Sequence, residues 1–293
     1  MLRKLDDELH PALGHQFFGL GLRARLIFDL EIAGVQTARL DALVLLSDCV
    51  GQDRGWLLAH PDYQLSAKQM GLLKKLLKRR ATHEPLAYVR GRCEFYTHEF
   101  VLTAAVLQPR PESEAFIELL KELVHHDPLH SKKPHSIHIT DVGTGSGALG
   151  ITAALEVANS HIELLEIDPE AAKVAQSNVD KFTLNISVII SDLLTNAEQQ
   201  ADILLCNLPY VPDDHKINRA AHHEPSLAIF GGSDGLDIYR RLFNQVHECK
   251  FKPLFILTES FEFQHKHLQK IAATAGYRLV QTDDFVQVFQ YNA

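Results

Sequence analysis

From about Phe17 to Thr82 apolar residues recur at helical spacing: Leu40, Leu43, Val44 and Leu46, then Met70, Leu72, Leu73, Leu76 and Leu77. Thr37 is placed to cap the first of these helices, Gly51 to end it, and Ser66 to open the second. The texture changes at Glu84-Pro85. Tyr88, Phe95, Tyr96, Phe100 and Val101, broken by Gly91, predict a short hairpin or extended linker. Pro109-Arg110-Pro111 then precedes a helix carrying Phe116, Leu119, Leu120 and Leu123, and His125 to His135, with two prolines, reads as a surface loop.

Beyond that loop the pattern alternates. Strands are predicted at Ile137–Val142, Ile162–Ile167, Ile186–Ile190, Ile203–Cys206 and Leu254–Leu257, with two more within Tyr277–Tyr291 around Asp283-Asp284. Helices are predicted between them at 148–158, 169–179, 236–248 and 265–275, the second starting on Pro169. Such alternation predicts an α/β fold, a doubly wound, mostly parallel seven-stranded sheet, beside a small all-helical N-terminal domain. The expected boundaries are 1–83 for the helical domain, 84–108 for the hairpin or linker and 109–293 for the α/β domain.

Composition narrows the class. Of 293 residues, 46% are hydrophobic and 23% charged, enough apolar material to exclude disorder over most of the chain. No apolar run approaches the ~18 residues of a membrane helix, and the acidic, interrupted N-terminus does not read as a secretory leader. The cysteines, Cys49, Cys93, Cys206 and Cys249, lie far apart without a Cys-x-x-Cys pair, so reduced thiols in a cytoplasmic protein are expected. The first hundred residues carry 14 Lys and Arg against 12 Asp and Glu, the remainder 15 against 25. That acidic remainder argues against direct nucleic-acid binding, and Lys74-Lys75 with Lys78-Arg79-Arg80 reads first as a solvated helix face. Among 17 histidines, His222-His223 and His265/His267 lack the i,i+3 or i,i+4 spacing of helical ligands, so no metal site is expected.

Two constellations carry chemistry. Asp141-Val142-Gly143-Thr144-Gly145-Ser146-Gly147 lies between a buried strand and a helix, where glycines permit a sharp turn and close ligand approach at a positive helix N-terminus. Glu166 ends the next strand, where a carboxylate accepts from ribose hydroxyls. The G-x-G-x-G spacing favours an adenosyl ligand without a pyrophosphate. Asn207-Leu208-Pro209-Tyr210 follows the strand ending at Cys206. The Asn207 side chain and Leu208 carbonyl offer two acceptors for one planar NH2 group, a carboxamide or an adenine amine, and Tyr210 offers a flat surface.

With these residues in place the chain resembles the release factor glutamine methyltransferases, which methylate the glutamine of the GGQ loop in peptide chain release factors. The resemblance runs nearly end to end: Leu40-Asp41-Ala42, Gly51-Gln52-Asp53-Arg54, Pro85-Leu86-Ala87-Tyr88, Glu94-Phe95-Tyr96, Pro109-Arg110-Pro111-Glu112-Ser113-Glu114, Glu224-Pro225 and Gly231-Gly232-Ser233-Asp234-Gly235-Leu236. It implies S-adenosylmethionine as donor, with Gly143, Thr144, Gly145, Ser146 and Gly147 around its amino-acid end, Glu166 on the ribose and Asp192-Leu193 along the adenine. Asn207 would touch both cofactor and substrate, and Asn207, Leu208, Pro209 and Tyr210 would receive the glutamine amide. It also implies that the helical domain helps dock the release factor, which gives the Lys74–Arg80 run a partner-facing role.

The chain departs from the family pattern in places. Leu208 stands where the family usually has proline, Leu193 where an aromatic often packs on adenine, and Glu259-Ser260-Phe261 where Glu-Ile-Gly is usual; the last strand lacks the expected basic residues. The expected reaction is direct in-line methyl transfer without a covalent enzyme intermediate, and no strong base is visible beside Asn207. Asn-Leu-Pro-Tyr also occurs in RNA adenine dimethyltransferases, so an adenine-N6 methyltransferase acting on nucleic acid stays open. So does a catalytically silent relative that binds cofactor or release factors.

Overall fold

The computed structural model describes residues 20–126 and 136–292, and the loop expected at 125–135 lies almost wholly outside them. The chain divides into two compact units between Arg90 and Gly91.

In the first unit α1 (Leu20–Ile32), α2 (Ala38–Val50), α3 (Arg54–Ala59), α4 (Ala67–Ala81) and α5 (Leu86–Arg90) follow one another. Leu26, Leu30, Leu45, Leu46, Leu57 and Leu73 share one apolar core. Gly51 ends α2 in the left-handed region, and Ser66 opens α4 with a reciprocal capping box to Gln69. Thr37 does not cap α2 through its side chain. Its hydroxyl donates to Asp41 Oδ2, the same carboxylate oxygen that receives Arg80 Nε at 2.7 Å. Tyr88 is buried within α5 and not in the hairpin, because the chain makes a helical turn directly after Pro85. The basic run is therefore not simply a solvated face. Lys74, Lys75 and Lys78 are exposed, but Arg80 and Asp41 form a pair whose side chains are only 13% and 3% exposed. Arg79 donates to Glu84 and to the carbonyls of Tyr88 and Val89.

The second unit begins with an antiparallel hairpin, β1 (Arg92–Phe95) and β2 (His98–Val101), followed by α6 (Ala115–His126). Then come β3 (Ile137–Val142), α7 (Ala148–Glu156), β4 (Ser160–Glu166), α8 (Pro169–Lys181), β5 (Ser187–Ile190) and β6 (Ile203–Cys206). They are followed by α9 (Asp237–Glu248), β7 (Phe255–Glu259), α10 (His265–Thr274), β8 (Tyr277–Asp283) and β9 (Val286–Tyr291). The sheet order is β5-β4-β3-β6-β7-β9-β8, parallel except for the pairings of β9 with β7 and β8. This is the doubly wound, mostly parallel seven-stranded sheet that the alternation predicts. Its central strands are buried on both faces; Tyr239, Leu242, Phe243 and Val246 of α9 pack against Leu204, Cys206 and Ile256.

The winding locates the site. From β3 the chain runs outward through β4 to β5, then returns to lay β6 on the other side of β3, so the topological switch point lies between β3 and β6. Asp141 on β3 pairs with Leu205 on β6, which brings the loops after both strands to one end of the sheet.

Candidate active site

A cleft of about 1160 Å3, the solvent at its mouth included, opens at that end of the sheet. Gly143–Ser146, Glu166, Asp192, Leu193 and Asn207–Pro209 line it, while Gly147 and Tyr210 flank it.

The glycine loop is held largely from its own neighbourhood. Gly143 and Thr144 donate through their amides to Leu165 O at 2.8 and 3.0 Å. The buried Asp141 carboxylate accepts from Thr144 Oγ1 at 2.6 Å and from Gly150 N at 2.9 Å, which ties the loop to the first turn of α7. Burial lifts the Asp141 carboxyl to about 6, although those two donors pull the other way. Glu166 accepts from Gly145 N at 2.8 Å and from Asp168 N at 3.0 Å, and burial raises its carboxyl too. Gly143, Gly145 and Gly147 all have positive φ, of 72°, 57° and 80°. A Cβ on Gly143 would meet Leu208 at 2.9 Å, whereas one on Gly145 would find no atom within 4 Å and would project into open space.

Along the second wall, Leu193 is buried with φ 54°, and Ser191 Oγ fixes its turn by donating to Leu193 O at 2.7 Å. Asp192 is ion-paired with Arg241 of α9, so Arg241 completes this wall. Sequence spacing gives no hint of that residue.

The third wall is built from distant segments. Asn207 Nδ2 donates to Ser113 Oγ at 2.8 Å and to Glu259 Oε2 at 3.1 Å; Ser113 Oγ donates to the same carboxylate oxygen at 2.6 Å. Tyr210 Oη donates to Glu259 Oε1 at 2.9 Å. A buried carboxylate does lie beside Asn207, with both its oxygens already accepting hydrogen bonds. Burial pushes the Glu259 carboxyl above the usual carboxylate range, while hydrogen bonds from Ser113, Tyr210 and Asn207 pull the other way. Behind the loop, the buried Tyr239 hydroxyl lies 2.8 Å from Cys206 O and 2.7 Å from Glu259 O, and it accepts from Leu208 N at 3.4 Å and Glu259 N at 3.2 Å. It thereby joins the ends of β6 and β7.

Two further contacts explain the family motifs. The side chain of Arg110, in Pro-Arg-Pro, meets Glu224, in Glu-Pro, at 2.5 Å, with the Glu224 side chain only 2% exposed. The Gly231–Gly235 turn lies against the backbone of Pro209 and Tyr210, where a Cβ on Gly231 or Gly235 would collide with their carbonyl oxygens. Gln264 Nε2 bridges Tyr210 O and Asp234 O, at 2.8 Å each. Phe261, at the departure Glu259-Ser260-Phe261, sets its ring edge-on to Tyr210 with centroids 5.1 Å apart.

A PrmC N-terminal domain matches residues 22–91 and a methyltransferase small domain matches residues 119–224. The chain is 35% identical to a release factor glutamine methyltransferase of Koribacter versatilis, over 75% of its own length and 78% of that protein's. The chain belongs to the release factor glutamine methyltransferase family. A second member, from Geobacter sulfurreducens, is 33% identical over 71% of each chain. A bifunctional methyltransferase of Rickettsia bellii is 31% identical over 89% of this chain, which spans only 49% of that longer protein. In fold the chain is similar to the hMettl16 catalytic domain solved with a MAT2A 3'UTR hairpin, at a TM-score of 0.51 and 15% identity over 66% of this chain and 74% of that one.

Membership makes the protein an S-adenosylmethionine-dependent methyltransferase, and the cleft fits that cofactor. The space a Cβ at Gly145 would fill, the carboxylate of Glu166 and the apolar side chain of Leu193 line one continuous cavity. No helix among the described residues is long and apolar enough to cross a membrane, and no cluster of three metal-ligating side chains occurs among them.

Proposed function

We propose that this protein transfers a methyl group from S-adenosylmethionine to the side-chain amide nitrogen of the glutamine in the GGQ loop of peptide chain release factors. The observation that carries this reading is the direct apposition of the two loops at the switch point. Gly143 of the cofactor loop stands against Leu208 of the amide-binding loop, so donor and acceptor meet where both strands end.

The bound cofactor supplies an electrophilic methyl on a sulfonium centre. Gly143–Gly147 surround its amino-acid end, Glu166 accepts from its ribose, and Asp192 and Leu193 border the adenine. Asn207 Oδ1 and the Leu208 carbonyl accept the two hydrogens of the glutamine amide, while Pro209 and Tyr210 shape the slot for its plane. An amide nitrogen gains positive charge as it is methylated, so acceptors fixed there stabilise the transition state more than the ground state. Orientation supplies much of the rest. Both Glu259 oxygens already receive hydrogen bonds from the protein, so the carboxylate works behind Asn207, and the proton leaves to water after transfer.

Incubation of a release factor with the protein and S-adenosylmethionine, followed by peptide mass spectrometry, tests the reading. One added methyl on the GGQ glutamine is expected. Asn207→Ala is expected to cost on the order of 3 kcal/mol in the transition state, about 100-fold in rate. Methylation of adenine in RNA instead, or cofactor binding without any methylated product, would overturn it.

A further inference from the structure

Asn207 presents a problem that its backbone does not solve. A carboxamide has nearly the same shape when its oxygen and nitrogen exchange places, yet the exchange turns an acceptor into a donor. With Nδ2 toward the cleft, Asn207 would face the substrate NH2 with hydrogens, and binding would become repulsion.

We propose that Glu259 and Ser113 are positioning residues that hold the Asn207 amide in the one orientation that presents Oδ1 to the substrate, the same carboxylate holding Tyr210 with its other oxygen. This rests on the function proposed above. The hydrogens can be counted. Ser113 gives its single proton to Glu259 Oε2 and so offers Asn207 only a lone pair. Both Glu259 oxygens serve as acceptors, and Oε2 takes the second Asn207 hydrogen. Both Nδ2 hydrogens are thereby spent, and planarity of the amide places Oδ1 on the other side. The flipped amide would set Oδ1 against two acceptors and give neither of them a hydrogen, in a place where Ser113 and Glu259 are 4% and 2% exposed. Tyr210 closes the arrangement by donating to Oε1, so one carboxylate from the end of β7 sets two residues of the loop after β6.

The test is a double-mutant cycle in single-turnover methyl transfer to a full-length release factor, comparing wild type, Asn207→Ala, Glu259→Ala and the double variant. Glu259→Ala is expected to slow transfer about 100-fold with cofactor affinity little changed, which also shows that the variant folds. In the Asn207→Ala background the same substitution is expected to cost less than about 2-fold, because the group it orients is gone. Glu259→Gln keeps an oxygen for Asn207 and is expected to recover about tenfold, a neutral bond being about half as strong as a charge-assisted one.

A second readout does not depend on the substrate. In 15N–1H spectra the two Asn207 side-chain protons, identified by their loss in Asn207→Asp, are expected to exchange slowly in wild type and rapidly in Glu259→Ala. Losses that add in full in the double variant, or Asn207 protons that exchange equally fast in both proteins, would overturn the positioning role. A wild type that leaves the glutamine unmethylated would overturn the proposed function alone, since the exchange measurement still reads the orientation.

Discussion

The two loops that meet in the cleft are built on opposite plans. The loop of Gly143–Gly147 is supported mainly by its own neighbourhood: Asp141 holds Thr144 and Gly150, and Glu166 reaches Gly145 across 21 residues. The loop of Asn207–Tyr210 is supported from afar. Ser113 is 94 residues away from Asn207, Glu259 is 52 away, and Gln264 is 54 from Tyr210. On the proposed function, the loop for the cofactor is thus a module that a fold can carry to many reactions, whereas the loop for the amide is shaped by the particular segments packed behind it. On that proposal, specificity for the acceptor resides in the packing as much as in the tetrapeptide.

Substituting one glycine on each side gives the sharpest break. Gly235 has φ 78°, and a Cβ there would collide with Tyr210 O and Gln264 Nε2, so Gly235→Ala must displace the amide loop. A shift of ~1 Å is enough for about 100-fold in rate; that loss is expected in turnover, with cofactor affinity by calorimetry near wild type. Gly145→Ala is expected to do the reverse. With φ 57° it costs roughly 1–2 kcal/mol of backbone strain, and its methyl enters the cofactor space. Cofactor affinity should fall about tenfold or more, and turnover at saturating cofactor should largely return. A Gly235→Ala that weakened the cofactor as much as the acceptor would erase the distinction.

The same contrast decides what could be read beforehand. The strand–helix alternation, the glycine loop and Glu166 were legible because each signal and its support lie close together in the chain. Glu259 appeared only as part of a departure, Glu259-Ser260-Phe261, and nothing in its spacing pairs it with Asn207. Ser113 stood inside a family motif with no visible duty. The tertiary pairing of the 111–114 turn just before α6 with the ends of β6 and β7 supplies that information. Thr37 failed locally for a similar reason: Asp41 needs its carboxylate for Arg80, 39 residues away, and draws the Thr37 hydroxyl with it.

Two supports behind the loops sharpen the comparison in stability. Asp141 is fully buried, with its carboxyl lifted from 3.8 to about 6. A folded-state value above the unfolded one contributes stability that is complete below about pH 4 and is lost as pH rises through about 6. Asp141→Asn keeps an acceptor for Thr144 and Gly150 but does not titrate. Urea midpoints are expected to show the wild type losing up to about 3 kcal/mol relative to the variant between pH 4 and 7; parallel curves would remove Asp141 as the titrating group. Tyr239→Phe removes the hydroxyl that joins β6 to β7 and is expected to cost about 1–2 kcal/mol in the same measurement, at every pH below the tyrosine range.

The smallest effect is expected where the sequence looks most unusual. Leu208→Pro restores the family's common residue. The Leu208 amide makes only a long bond, 3.4 Å, to Tyr239 Oη, and that hydroxyl keeps three better partners when the bond is lost. The carbonyl proposed to receive the substrate is a backbone group present in either residue, and Pro209 already biases position 208 toward extended conformations. Against this stands the buried leucine side chain, 3% exposed, whose terminal methyl packs on the Gly143 loop. Proline fills less of that space, so the loss is expected to be about 1 kcal/mol or less in stability, with turnover within about threefold of wild type, a span of under 1 kcal/mol. A much larger loss of turnover at unchanged stability would show that the leucine side chain itself transmits the position of one loop to the other, and the two would cease to be separable.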